Sequence, residues 1–266
     1  MAGLLLSEVL NAAEPLDGGL SFPVPANWTQ GRTAYGGFTS ALLLAAARRG
    51  HEDLPPLRSA LINFTAPVAE PPTIRAETLR QGRNVTTVNA RAEIGGKVAA
   101  AAMFSFGRAQ KSQVAFGLKA PKADAPEDAA AYLSPGAQRR AATFFENFEM
   151  RMIEGDLPFS GSDRGYLRVW ARHRDPEMHG SIEGLIAIAD LLPPAVFPML
   201  SQPGPNSSVN WICNLLADAP RTRDGWWMVE SKLTAGSDGY SSQVMRMWNT
   251  DGDLVVDGMQ SVVIFV

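Results

Sequence analysis

Two segments of the chain are apolar on nearly every face of a predicted helix. Residues 38–49 contain strong helix formers and are followed by Gly50, which suits the position after a helix end. Residues 181–189 begin at Ser181, a residue type that favours the N-cap position. A helix with apolar residues on most of its faces must be covered, usually by a sheet. The pattern therefore predicts two buried helices.

Short runs of alternating apolar and polar residues surround both predicted helices. Residues 84–94 alternate with a period of two, which is typical of an antiparallel strand with one solvated face. Gly95-Gly96 and residues 249–253 are rich in turn formers and predict hairpins. Two helices combined with antiparallel strands predict an α+β fold. The predicted strands cover residues 57–68, 73–80, 84–94, 98–106, 144–153, 166–174, 207–216, 226–233, 240–248 and 254–265.

The second half of the chain resembles the first. A single offset aligns Met103 with Met259 and Val88 with Val244, and it aligns the two predicted hairpins. The sequence identity is low, and the alternative is that two meanders share generic strand patterning. We favour an internal repeat.

The repeat divides the chain into two units and a linker. Residues 1–107 form the predicted N-terminal unit, and residues 141–266 form the C-terminal unit. Residues 108–140 are rich in charge and proline, so we expect a surface linker with a short helical turn near residues 127–132.

Composition and charge exclude several classes of function. The chain has 266 residues, of which 45% are hydrophobic and 19% charged, as in a compact globular protein. The formal net charge of −3 provides no basic field that would hold nucleic acid or an acidic membrane surface. We therefore expect a small-molecule ligand rather than a nucleic acid.

Cysteine and histidine usage limits the possible metal and disulfide sites. Cys213 has no partner for an internal disulfide, which favours a reducing compartment. His51, His173 and His179 lack the spacing of a zinc site, so we expect no metal. The first residues carry no basic region, and no segment reaches the roughly 20 apolar residues that span a bilayer. We expect a cytoplasmic protein with no membrane partner.

Asp190 is a candidate general base. It lies among apolar residues at the end of the second predicted helix, just before Pro193 and Pro194, which end or kink the helix. Burial would raise the pKa of this carboxyl and make it a better proton acceptor near neutral pH. The alternative is an aspartate that faces solvent at a helix end.

Gln260 is the second candidate. Strand alternation places it on the same face as Val256, Val262 and Ile264, and that apolar face should pack against a helix. A lone buried amide needs hydrogen-bond partners, and a bound water with a carboxylate and a hydroxyl could supply them. The alternative is an amide that pairs with a buried backbone group. In the first half of the repeat, Phe104 takes the same place.

Six short motifs make the chain similar to the acyl-CoA thioesterase II-like family of double hot-dog proteins. The resemblance implies two tandem antiparallel sheets, each wrapping a long central helix. It also implies hydrolysis of acyl-CoA, with CoA as part of the substrate and no other cofactor, within fatty acid metabolism. A homodimer or a larger homo-oligomer is expected. The motifs are GRTAYGG (residues 31–37), INFTAPV (62–68), QGRN (81–84), IAIADLLP (186–193), PNSSVNW (205–211) and VVDGMQSVV (255–263).

In that family an aspartate, a serine or threonine and a glutamine hold the hydrolytic water, and these positions fall on Asp190, Ser208 and Gln260. Alternation directs only one of Ser207 and Ser208 inward, and residue chemistry does not distinguish them. We select Ser208, which shares its face with Asn210 and Ile212 under regular alternation.

Tyr35, Gly36 and Gly37 are candidate substrate-binding residues. They open the first helix, and an N-terminus offers N–H donors to a developing oxyanion. The backbone around the second helix is another candidate for these donors. The alternative is a turn whose glycines require positive φ angles.

Two other functions remain open. One is a non-catalytic protein that binds acyl-CoA or lipid on the same scaffold. The other is an enoyl-CoA hydratase or dehydratase, although no histidine accompanies an aspartate in the predicted helix or the nearby strands.

Overall fold

The computed structural model describes residues 3–51, 53–138, 141–218 and 220–265. The predicted unit boundaries at residues 1, 140 and 266 lie outside these ranges. The helices are α1 (Leu6–Asn11), α2 (Gly36–Arg49), α3 (Pro135–Gln138) and α4 (Ile182–Ala189). The strands are β1 (Glu14–Leu16), β2 (Gly19–Ser21), β3 (Thr29–Gln30), β4 (Thr33–Ala34), β5 (Leu57–Phe64), β6 (Thr73–Gln81), β7 (Val85–Ile94), β8 (Lys97–Gly107), β9 (Phe148–Gly155), β10 (Tyr166–His173), β11 (Asn206–Leu215), β12 (Trp227–Ser237), β13 (Tyr240–Trp248) and β14 (Leu254–Ile264).

Most strands belong to one 12-stranded antiparallel sheet in the order β1-β2-β6-β7-β8-β5-β11-β14-β13-β12-β10-β9. Its first six strands come from the N-terminal half and its last six from the C-terminal half. The halves meet where β5 pairs with β11, with Ile62 opposite Trp211. The two sheets expected from the sequence are thus joined edge to edge into a single sheet.

Helices α2 and α4 lie against each other on the inner face of this sheet. At one end of the pair, the Tyr35 hydroxyl donates a hydrogen bond to the Ala187 carbonyl over 2.7 Å. At the other end, Arg48 forms an ion pair with Glu183. The helices are therefore antiparallel, and the start of α2 lies beside the end of α4. Among the described residues, no helix combines the length and apolar character needed to cross a membrane.

The buried helices and the main strands are confirmed, with different bounds at some ends. Helix α2 begins at Gly36, two residues earlier than predicted. Strand β5 ends at Phe64, short of residue 68, and β9 begins only at Phe148 because residues 143–147 form a 3₁₀ turn. The short N-terminal elements α1 and β1–β4 were not predicted, since none is long enough to show a clear period.

The alignment of the halves needs one correction. Val88 lies opposite Phe104, whereas Gln243 lies opposite Gln260. If Phe104 corresponds to Gln260, then Val88 corresponds to Gln243, and its predicted alignment with Val244 is wrong. A single offset fails because the two hairpins have connections of different length.

Candidate active site

Asp190 follows the last residue of α4 and is 9% exposed. The start of α4 is fixed by nearby residues, since the Ser181 side chain accepts a hydrogen bond from the Gly184 N–H at 2.9 Å and so caps the helix. Pro193 and Pro194 follow shortly after Asp190 and cannot continue the helix. The carboxyl group is thereby held at a defined helix end inside the molecule rather than at a solvent-facing one.

Gln260 reaches Asp190 from the sheet. Its Nε2 donates to Oδ1 of Asp190 over 2.8 Å, and the side chain is 3% exposed. Val256, Val262 and Ile264 are buried on the same strand face, as the alternation predicted. The partner of the buried amide is therefore a carboxylate and not a backbone group.

The start of α2 reaches Asp190 from the other half of the chain. The backbone of Gly37 lies close enough to the Asp190 carboxylate to lower its pKa. A Cβ atom at Gly36 would lie 2.6 Å from Oδ2 of Asp190, so the helix start and the carboxylate are in close contact. Neither glycine is among the residues with positive φ. These glycines permit close approach, and the alternative of a positive-φ turn is wrong.

The electrostatics of Asp190 follow from this enclosure. Burial raises the pKa of Asp190 from an ordinary 3.8 to about 7, and the hydrogen bond from Gln260 and the nearby Gly37 backbone act in the opposite direction. No lysine or arginine of the described residues forms an ion pair with it. Tyr35 and Cys213 have raised pKa values, through burial and through the Asp190 charge. Near neutral pH, Asp190 is thus poised to exchange a proton.

Ser208 faces the same interior as Gln260, but regular alternation along β11 is not the reason. It lies opposite the buried Val262, and the register of β11 shifts between Ser208 and Asn210. Asn210 and Ile212 are exposed, so the prediction that Ser208 shares their face is wrong. The bulge adds one residue and reverses the alternation. Among the residues that the structure describes, no hydrogen bond joins the Ser208 hydroxyl to Asp190 or Gln260.

Comparison with known proteins identifies the family. A family model described as the acyl-CoA thioesterase C-terminal domain matches residues 123–264, which include Asp190, Ser208 and Gln260. A second model, described as the acyl-CoA thioesterase N-terminal domain, matches residues 24–107. The chain belongs to the acyl-CoA thioesterase family. The resemblance stated from the six motifs is therefore confirmed, and the protein is a thioesterase of this family.

Solved structures share the fold of this thioesterase. A hot-dog protein of unknown function from Alicyclobacillus acidocaldarius is 23% identical, with a TM-score of 0.86 and 98% of each chain covered. An acyl-CoA thioesterase II from Mycobacterium marinum is 21% identical, with a TM-score of 0.76 and 98% of each chain covered. No curated protein matches the chain. The solved structures establish a hot-dog fold built on a large antiparallel sheet.

Tyr35 of the thioesterase is a buried contact between the two helices. It is 2% exposed, and its hydroxyl is engaged by the Ala187 carbonyl. Its ring stacks on Phe144 with 4.1 Å between the centroids. Of the three predicted substrate-binding residues, Gly36 and Gly37 thus lie at the carboxylate, whereas Tyr35 holds the ends of the helices together.

Gln243 is a polar residue of the site that was not predicted from the sequence. Its Nε2 donates to Oε1 of Gln260 over 2.9 Å, and its Oε1 accepts from the Ala195 N–H at 2.6 Å. The signal was present in the sequence, because Gln243 is the amide on a strand face that it shares with Met245 and Met247. The alternation used for Gln260 would have placed it inward as well.

Proposed function

We propose that this thioesterase hydrolyses acyl-CoA to a free acid and CoA with a water molecule activated by Asp190. The observation that carries the proposal is a buried carboxylate that pairs with no lysine or arginine of the described residues, and whose pKa burial raises to about 7. A general base is most effective when its pKa lies near the working pH. Asp190 meets this requirement.

The water would lie between the Asp190 carboxylate, the Gln260 amide and the Ser208 hydroxyl. Asp190 accepts a hydrogen bond from Gln260, and a carboxylate has about four lone-pair sites, so positions remain for a water. Ser208 is a diagonal neighbour of Gln260 across β11 and β14. Diagonal neighbours in an antiparallel pair lie about 7 Å apart, which leaves space for one water between their side chains.

The reaction then proceeds by general-base attack. Asp190 takes a proton from the water, and the water oxygen bonds to the thioester carbonyl carbon. When the carbon–sulfur bond breaks, the proton passes from Asp190 to the departing CoA sulfur. The products are the free acid and CoA. The oxyanion that forms in between needs N–H donors, and we assign them to the start of α2 at Gly36, where the helix dipole is positive.

The architecture is proposed to be two fused hot-dog units, at residues 1–107 and 141–266, with residues 108–140 as the linker. The division is supported by the sheet order, because each half supplies six neighbouring strands and one buried helix. A homodimer or larger homo-oligomer, a cytoplasmic location and a reaction without a cofactor other than the CoA of the substrate stay predictions.

Two observations favour hydrolysis over the other functions considered. A purely binding protein would not need Asp190 and Gln260 close enough to share a water, yet their side chains lie 2.8 Å apart. A hydratase would pair an aspartate with a histidine. The buried His173 contacts the Gly184 carbonyl near the start of α4, which is about 9 Å along the helix from Asp190.

The direct test is turnover on acyl-CoA substrates. The purified protein is incubated with acyl-CoAs of increasing chain length, with branched and aromatic acyl groups included, and released CoA is measured with a thiol reagent. We expect CoA release for at least one acyl class. Saturable binding without release would support the binding alternative, and hydration of an enoyl-CoA would support the hydratase.

A further inference from the structure

Gln243 forms the second link in a chain of hydrogen bonds that ends at Asp190. The chain runs from the Ala195 N–H to Oε1 of Gln243, from Nε2 of Gln243 to Oε1 of Gln260, and from Nε2 of Gln260 to Asp190. Gln243 is 0% exposed and Gln260 is 3% exposed, so these bonds are shielded from bulk solvent. Each amide is therefore oriented mainly by its hydrogen-bond partners inside the protein.

The direction of this chain is determined at its backbone end. A side-chain amide carries a donor and an acceptor that exchange places when the group turns over, whereas a backbone N–H can only donate. The Ala195 N–H therefore holds Oε1 of Gln243 toward itself, which leaves Nε2 to face Gln260. Gln260 must then present Oε1 to Gln243 and Nε2 to the carboxylate. The Ala195 N–H thus determines, through Gln243 and Gln260, that Asp190 faces a hydrogen-bond donor and not an acceptor.

Ala195 is suited to this role by the residues before it. Pro193 and Pro194 have no N–H, so Ala195 carries the first backbone donor that follows them. Ala195 is also 1% exposed, and its N–H needs a partner inside the protein. The first backbone N–H after the two prolines, that of Ala195, is therefore the one that donates to Gln243 on β13.

We propose that Gln243 is a positioning residue, which keeps Gln260 turned so that its Nε2 donates to the Asp190 carboxylate. The proposal rests on the proposed function for its effect on turnover. Without Gln243, Gln260 is free to turn over and present Oε1 to Asp190. An acceptor at that place repels the carboxylate and favours its protonated form.

Other groups near Asp190 do not provide the same control. The titratable groups that face it are Tyr35, at the start of α2, and Cys213, on β11. The pKa values of both are raised, so both are uncharged at neutral pH. Burial is the largest influence on the pKa of Asp190, and the Gln260 hydrogen bond is the next, so the orientation of Gln260 affects this pKa.

The test uses Gln243→Met, because methionine has a similar size and already occupies this strand face at Met245 and Met247. Gln243→Leu is the second apolar variant. Ser241→Ala is the matched control, since Ser241 is buried on the same strand and its hydroxyl has no hydrogen-bond partner among the described residues. The kcat/KM of each protein is measured against pH, and the pKa of Asp190 is measured by carboxyl carbon NMR without substrate.

We expect Gln243→Met to raise the pKa of Asp190 by about one unit or more, since a hydrogen bond to a charged group contributes that much. The acid limb of kcat/KM should move to higher pH by the same amount, with KM changed less than about twofold. In a Gln260→Met background, Gln243→Met should add no further shift, because it acts through Gln260. Ser241→Ala should leave the profile unchanged.

The outcomes separate this proposal from the proposed function. A shifted Asp190 pKa in a protein that releases no CoA would support the role of Gln243 and overturn the function. An unshifted pKa in Gln243→Met, with normal turnover, would overturn the role of Gln243. So would a full shift in the Gln260→Met background, or failure of both apolar variants to fold while Ser241→Ala folds.

Discussion

The two halves of the sheet place different residues at one buried position against the helices. In the N-terminal half, Phe104 lies opposite Val88, and both are 0% exposed. In the C-terminal half, Gln260 lies opposite Gln243, and the pair is hydrogen-bonded to Asp190. One half fills the space with packed hydrophobic groups, and the other builds a polar chain there. A repeated scaffold can therefore place polar groups in one half while the corresponding positions of the other half are filled by packed hydrophobic side chains.

The two ends of the helix pair differ in the same way. Glu183, at the start of α4, is neutralised by Arg48 from the end of α2. Asp190, at the end of α4, meets the start of α2, where two glycines take the place of a cation. An ion pair would lower the pKa of Asp190 and weaken it as a base. Among the described residues no cation pairs with Asp190, which suits the general base that we propose.

The largest effect is expected from Asp190→Asn, which removes the base and keeps the shape of the side chain. We expect kcat to fall by about 100- to 10,000-fold, the usual contribution of general-base catalysis. Glu183→Gln changes the acid at the opposite end of the same helix and should leave kcat within about twofold. Hydrolysis of the preferred acyl-CoA measures both. Equal losses in the two variants would contradict the difference between the helix ends.

The next largest effect is expected from Gln260→Met. Phe104→Met changes the corresponding position in the other half and serves as the comparison. Loss of the Gln260 donor should lower kcat/KM by about 10- to 100-fold, the worth of a hydrogen bond to a charged group. It should also move the acid limb to higher pH, because this bond lowers the pKa of Asp190. Phe104→Met should cost about 1.5 kcal/mol of stability or less and leave the pH profile unchanged. A shift of the profile by Phe104→Met would remove the distinction.

The third effect is on how the free energy of unfolding depends on pH. The folded pKa of Asp190 is raised to about 7, so the folded state keeps a proton that the unfolded state releases between about pH 4 and pH 7. Stability therefore falls as the pH rises through this window. Between pH 5.5 and pH 7.5 the parent should lose about 2 kcal/mol of unfolding free energy through Asp190, and Asp190→Asn should not show this loss. Urea unfolding at the two pH values measures this, and an equal pH dependence in both proteins would count against the buried carboxyl.

The smallest chemical change is the addition of one methyl group at either end of α2. In Gly36→Ala the new Cβ would lie 2.6 Å from Oδ2 of Asp190, so the carboxylate or the helix must move. We expect a loss of about 1–3 kcal/mol in unfolding free energy, together with reduced kcat. In Gly50→Ala the new Cβ meets nothing within 4 Å, and both quantities should stay near the parent values. Chemical unfolding and turnover compare the pair, and equal effects would show that contact with Asp190 is unimportant.

Several parts of the candidate site could be read from local pattern. The apolar surroundings of Asp190 indicated a buried carboxyl, and alternation directed Gln260 inward, because each argument needs only the residues within one element. The same argument failed at Ser208, since a bulge in β11 reversed the alternation. A bulge depends on how two strands pair, and its position is not written in the period of one strand.

Local patterns were enough to locate the two buried helices and the long strands, and to identify the inward face of β14. The bond from Gln260 to Asp190, 70 residues earlier in the chain, could be seen only in the folded molecule, as could the contact of the start of α2 with this carboxylate. The same holds for the hydrogen bonds that link Gln243 to Ala195 and Gln260. Burial and period are local properties of a segment. The meeting of side chains from different segments depends instead on strand register and on how two helices pack.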